Sequence, residues 1–134
     1  ESDRGFTGGI PCGDPLRDVR LGPDSFLLQR LAQPGFHLLC FAGEDTRDQL
    51  KACLRAADGA RVKLHGVAIT KAAEAPELAG AIRIADPQGR IFEKYGARPG
   101  TAYLVRPDQH VCARWLEASP EKITTALDIA LGDW

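Results

Sequence analysis

The sequence predicts an α/β domain with a central mixed sheet and helices on both faces. Three observations point to it. Phe36–Gly43 ("FHLLCFAG") and Arg61–Ile69 ("RVKLHGVAI") are apolar on both alternating faces, as strands covered on both sides are. Between them Leu50, Cys53, Leu54 and Ala57 recur at i, i+3, i+4 and i+7, the stripe of an amphipathic helix. Strand, helix, strand with short connections makes a βαβ unit with parallel strands. A β-hairpin and a C-terminal helix follow, completing the order.

Taken along the chain, residues 1–17 are rich in Gly, Pro and charge and read as a linker or extended lead-in; residues 18–134 form the domain. Asp18 to Leu21 ("DVRL") reads as a short edge strand. In "GPDSFLLQRLAQPG", Asp24 or Ser25 caps a helix that buries Phe26, Leu27, Leu28 and Leu31, and Pro34-Gly35 breaks it. After the first central strand, the amphipathic helix runs to a terminator at Gly59. "KAAEAPELAGA" reads as a short helix interrupted by Pro76. "IRIADPQGR" is a brief strand entering a type I turn with Asp86, Pro87 and Gly89 at i, i+1 and i+3. "IFEKYGA" is a helical turn ending at Gly96.

Thr101 to Trp115 is the hairpin, turning at Pro107-Asp108. On its first arm Ala102, Leu104 and Arg106 alternate with Tyr103 and Val105. On its second, Val111, Ala113 and Trp115 alternate with Cys112 and Arg114. Ser119 then caps a helix with Pro120 at its first position. Ile123, Ala126, Leu127, Ala130 and Leu131 form its stripe, and Gly132 ends it.

Bulk properties bound the function. The chain has 134 residues, enough for one domain with a real core. Hydrophobic residues make up 44% and charged residues 26%, ordinary values for a globular protein. Lys plus Arg total 17 against 18 Asp plus Glu, a formal net charge of −1, which argues against a nucleic-acid binder. No apolar run approaches a membrane span, and the N-terminus lacks the apolar core of a secretory signal. The absence of methionine, with a start at Glu1, suggests a segment of a longer chain. Cys12, Cys40, Cys53 and Cys112 have no metal-like spacing and are expected as free thiols in a reducing, cytoplasmic compartment.

Candidate chemistry is sparse. A redox thiol belongs at a helix N-terminus, where the dipole lowers its pKa. The matching stretch, Ala42-Gly43-Glu44-Asp45-Thr46-Arg47, has two acids and no cysteine. Cys40 and Cys53 are expected in the core, Cys12 in the lead-in, and Cys112 on a strand face shared with Arg114. His37 and His65 fall on adjacent strands but make no metal site alone, and His110 follows a turn. Arg98, Arg106 and Arg114 are expected around the hairpin on a solvated or interdomain face. "GFTGGIPCG" has no preceding strand and is no phosphate cradle. No catalytic, cofactor-binding or metal-binding residue is assigned.

The order β-α-β then β-β-α, with Gly-Thr leading into the hairpin, resembles the thioredoxin fold. In that family a cis proline precedes the hairpin and faces a C-x-x-C motif. Here the step reads Pro99-Gly100-Thr101, with Gly100 where the proline would be, and the P-x-x-x-T-x-x-C motif of peroxiredoxins is missing too. A closer resemblance lies in "DPQGRIFEKYGARPGTAYLVRPDQHVCARW", Asp86 to Trp115. It is similar to the C-terminal domain of FAD-dependent aromatic hydroxylases, the class of phenol hydroxylase and 3-(3-hydroxyphenyl)propionate hydroxylase. The upstream "GDPLRDVRL…FLLQRLAQPGFHLLCFAG" resembles the entry into that domain, so the likeness spans residues 8 to 131.

The resemblance implies a catalytically silent, thioredoxin-like C-terminal domain of an oxidoreductase, a flavoprotein monooxygenase. FAD, NAD(P)H and substrate would be held by preceding domains of the same chain, and the expected partners are those domains, with a possible homo-oligomer contact. Neither nucleic acid nor membrane is expected. Two rivals stand beside it: a divergent thiol oxidoreductase using Cys112 or Cys40, and an unrelated interaction module docking through the hairpin face or Trp134.

Overall fold

The computed structural model describes residues 4–58, 64–72 and 81–131. A two-stranded ribbon, β1 (Arg20–Gly22) and β2 (Ser25–Phe26), precedes a short helix, α1 (Leu27–Arg30). The βαβ unit is β3 (Phe36–Ala42), a 3-10 turn at Glu44–Thr46, α2 (Arg47–Asp58) and β4 (Leu64–Thr70). Then come β5 (Ile82–Ala85), α3 (Arg90–Lys94), the hairpin strands β6 (Ala102–Val105) and β7 (Val111–Trp115), and α4 (Pro120–Leu131). The main sheet has the order β5-β4-β3-β6-β7. β3, β4 and β5 run parallel, while β6 and β7 are antiparallel, which makes the sheet mixed as expected.

Both faces of the sheet are covered, which explains the two-faced apolar pattern of β3. Leu39 and Phe41 face a core shared with Val67, Ile69, Tyr103, Phe92 of α3 and Tyr95 just after it. Leu38, Cys40 and Ala42 face Leu50, Cys53 and Leu54 of α2 and Ile123 and Leu127 of α4. Complete burial of side chains as large as these contributes about 1.5–3 kcal/mol each, the main favourable term in the fold. Ser119 caps α4 as the sequence predicts, its Oγ accepting from the Lys122 amide at 3.3 Å. Asp86 opens a turn, with Gly89 N–H donating to its carbonyl at 2.9 Å.

Several expectations are corrected. The strand expected at Asp18–Leu21 is instead β1, paired in the separate ribbon. Neither Asp24 nor Ser25 caps α1, because Ser25 is part of β2. The role falls to Asp18, whose Oδ1 accepts from the Leu28 amide at 3.0 Å, assisted by Gln29 Oε1 on the Phe26 amide. That cap is ten residues from the amide it serves, so local spacing did not show it. The residues around Pro76, Gly59, residues 61–63, Gly132 and Trp134 lie outside the described residues, as do the side chains of Ala57 and Leu131.

The hairpin departs from simple alternation. Leu104 pairs with Ala113 but Val105 pairs with Val111, so β7 carries a bulge at Cys112. The extra residue turns Val111 to the Tyr103 side of the sheet, whereas Ala113 and Trp115 stay on the α4 side. Val111, Ala113 and Trp115 therefore do not share a face. Beyond the Arg106–Gln109 turn, Gln109 has φ 64°, a left-handed conformation that Gln adopts at some cost.

The lead-in, expected as a linker, is packed on the domain. Ile10 and Leu16 are buried, and Gly13, Asp14 and Leu16 hydrogen-bond the backbone of Val111 and Gln109. This covers one end of the β7 edge, which would otherwise present unpaired backbone groups. Gly9 (φ 79°) sits so close to the Tyr95 carbonyl and the Tyr103 hydroxyl that a Cβ there would collide with both.

Candidate functional site

The place where a thiol centre would sit is the exit from β3. There Gly43 leads into the Glu44–Thr46 turn, and its amide donates to Thr46 Oγ1 at 3.0 Å. Opposite lies the Arg98–Thr101 step. Gly100 (φ 101°) donates its amide to the Phe41 carbonyl at 2.8 Å, and the Thr101 carbonyl accepts from Phe41 N–H at 2.9 Å. Thr101 Oγ1 accepts from Arg98 N–H and donates to the Leu116 carbonyl, tying the step to the end of the hairpin. Among the described residues no peptide bond is cis. A Cβ at Gly43 would lie 2.9 Å from Pro99 Cβ, so the backbone is drawn close where a reactive side chain would need room.

The cysteines lie elsewhere. None of the four is in a disulfide. Cys40 and Cys53 are buried together between the sheet, α2 and α4. Burial drives the Cys40 thiol far above its ordinary range and pushes Cys53 up to about 11. Cys112 is half-buried, and burial raises it too, against the opposing pull of Arg106. Because of the bulge, Cys112 packs on the α4 side and does not share a face with Arg114. A thiolate is the nucleophilic form, so each of these shifts works against nucleophilic use.

His37 and His65 are register partners on β3 and β4, their ring centroids 5.0 Å apart. Each has its own local partner: His37 Nε2 meets Gln33 Oε1 at 3.1 Å and His65 Nε2 meets the Pro34 carbonyl at 2.8 Å. His110 Nδ1 lies 3.1 Å from the Asp108 carbonyl. No group of three metal-ligating side chains gathers among the described residues.

The three arginines expected together are separated. Arg98 pairs with Glu117 at 3.2 Å and Arg106 with Asp108 at 3.1 Å, both at the surface. Arg114 is only 5% exposed and binds the lead-in. Its side chain leaves the sheet on the face opposite to the one Cys112 takes. The structural use of Arg114 was missed because its partners, Phe6 and Gly8, are more than a hundred residues away in sequence.

A flavin pyrophosphate would need a glycine-rich turn with inward amides at a strand-to-helix exit. Two described parallel strands lead into a helix: the exit after β3 carries Glu44 and Asp45, and the exit after β5 is the Asp86–Gly89 turn, where the Asp86 carboxylate already takes the amides of Ile91 and Phe92. These residues do not fit a dinucleotide. The surface feature that does stand out is an open groove of about 520 Å³ between β7 and α4, walled by Cys112, Ala113, Trp115, Ala126 and Ile129. Ile129, 75% exposed, is the one exposed large hydrophobic side chain among the described residues. Its signal in the sequence was its position three residues after Ala126, off the predicted stripe.

No family model matches the chain, and no curated protein matches it. Solved structures do. Aklavinone-11 hydroxylase, solved with FAD and aklavinone, is 26% identical with a TM-score of 0.60, covering 90% of this chain and 21% of its own. A thioredoxin-like protein from Parabacteroides distasonis is 18% identical with a TM-score of 0.62, covering 91% of this chain and 98% of its own. Peroxidoxin BcpB from Mycobacterium tuberculosis is 18% identical with a TM-score of 0.60, covering 90% and 97%. The fold is thus thioredoxin-like. The chain spans about a fifth of the length of the hydroxylase it matches. No helix among the described residues is long and apolar enough to cross a membrane.

Proposed function

We propose that this chain is a catalytically silent, thioredoxin-like domain of a flavin-dependent aromatic hydroxylase, acting through contacts with the rest of that enzyme. The observation that carries it is the match to aklavinone-11 hydroxylase, which takes in nearly all of this chain and only a fifth of that one. The Asp86–Trp115 resemblance points the same way. In this reading FAD, NAD(P)H and the aromatic substrate belong to domains outside this segment, in a cytoplasmic enzyme. The β7–α4 groove and Ile129 form the face assigned to that contact, with a homo-oligomer contact as its other use. The test is the purified chain. It is expected to be colourless and to bind a hydroxylase flavoprotein core lacking its own C-terminal domain, and Ile129→Asp is expected to weaken that binding. A yellow protein with stoichiometric flavin would sink the idea.

A thiol oxidoreductase remains the rival, favoured by the full-length match to peroxidoxin BcpB. It is opposed by the cysteine-free turn after β3 and the raised thiol pKa values of Cys40 and Cys112. Peroxidase or insulin-reduction activity that disappears in Cys112→Ser or Cys40→Ser would install it in place of the first reading.

A further inference from the structure

We propose that the cavity at the carboxyl ends of β3 and β4 binds a small organic carboxylate, a ring-sized apolar body bearing one anionic group. This stands apart from the contact role argued above. The cavity has a volume of about 320 Å³, at the small end of ligand sites. Ala42, Phe92 and Pro99 supply apolar walls, and Arg47, Lys71 and Thr70 supply the polar groups.

The strongest observation is Thr70. It is 5% exposed, and its Oγ1 has no hydrogen-bond partner among the described residues. Buried hydroxyls are nearly always paired, because leaving one unpaired forfeits its hydration without replacement. The backbone of Thr70 is fixed by its place in β4 and by the Asp86 amide, which donates to its carbonyl at 2.6 Å. Thr70 itself is one of the residues that line the cavity.

The second observation is charge. Arg47, at the start of α2, and Lys71, directly after β4, both line the cavity, and no described acid does. Asp45 and Asp48 are exposed and outside the lining. Lys71 Nζ lies 4.9 Å over the Phe92 ring, which holds the cation against the apolar wall. An arginine fork, an ammonium and a hydroxyl donor together match a carboxylate. The apolar walls match a hydrocarbon ring in preference to a fully hydrated inorganic anion.

The test is an amide-resolved NMR titration of the full chain with benzoate, its uncharged counterpart benzamide, and inorganic phosphate. Benzoate is expected to shift the amides of Gly43, Arg47, Thr70 and Lys71 saturably, with benzamide at least about tenfold weaker. The pair Arg47→Gln/Lys71→Gln is expected to weaken benzoate by at least about tenfold. Thr70→Val keeps the shape and removes the hydroxyl; it is expected to weaken benzoate severalfold while leaving the thermal midpoint unchanged or higher. The proposal is overturned if benzoate gives no saturable shift, if benzamide binds equally, or if the charge-removing pair binds benzoate unchanged. Phosphate shifting these amides where benzoate does not, or a lower midpoint in Thr70→Val, would also overturn it.

Discussion

The guanidinium of Arg114 stacks 3.9 Å from the ring centroid of Phe6 and donates to the Gly8 carbonyl at 2.8 Å and the Tyr103 hydroxyl at 3.3 Å. One buried cation thus fastens the lead-in to the β7 edge and to the aromatic core. Arg114→Ala is expected to cost about 2 kcal/mol or more in urea unfolding, because it removes charge-assisted hydrogen bonds and a desolvated cation–π contact together. Phe6→Ala is expected to cost less, and the double variant to fall short of the sum by about 1 kcal/mol. Arg114→Lys should not restore stability, since a point ammonium cannot stack and fork at once. Additive losses in the cycle would show that the stack is incidental.

His37 gives the protein a pH dependence on the acid side. Burial lowers its pKa below 6.5, and the neighbouring His65 lowers it further, against a hydrogen bond to the Gly35 backbone that raises it. The unfolded chain therefore takes up the proton first. Stability is fully present above about pH 6.5 and is lost as pH falls below it toward the folded pKa. The urea midpoint is expected to drop between pH 7 and pH 5, and His37→Gln is expected to flatten that drop. An unchanged slope in the variant would exclude His37 as its source.

On the alkaline side the buried thiols act in the opposite direction. Cys53 is raised to about 11 by burial, with the charge of Glu121 adding to it. A raised folded pKa means stability present below the ordinary thiol range, about 8.5, and lost as pH climbs toward 11. Cys53→Ala is expected to flatten the stability curve over that window. With a thiol reagent at pH 8, Cys12 is expected to react first and Cys112 slowly. Cys40 and Cys53 should react only at the rate of unfolding. Fast labelling of Cys40 in the native chain would contradict its burial.

The helix caps rank in a testable order. Asp86 Oδ2 accepts from the amides of Ile91 and Phe92 at 3.0 Å each, and the residue is buried. Ser119 holds a single amide at 3.3 Å near the surface. Ser119→Ala is expected to cost about 1 kcal/mol and Asp86→Ala about 2, the upper end of capping losses. Chemical denaturation of the two variants checks the order.

The sequence by itself determined the two central strands and their parallel pairing, the two apolar faces of β3, the capped terminal helix, and the lack of a cysteine where a thiol centre belongs. All of these are written in residues within a helical turn or a strand of one another, and burial imposes a period on them. Only the tertiary structure decided the rest. The Cys112 bulge moved Val111 to the opposite face of the sheet, because register depends on what the partner strand offers. The lead-in became part of the domain through Arg114, and Asp18 capped a helix ten residues away. Thr70 acquired its unpartnered hydroxyl, and Arg47 and Lys71 came to share a cavity, because the parallel crossover brings the ends of β3 and β4 together. These are long-range juxtapositions, fixed by the packing of distant segments and carrying no local period to read.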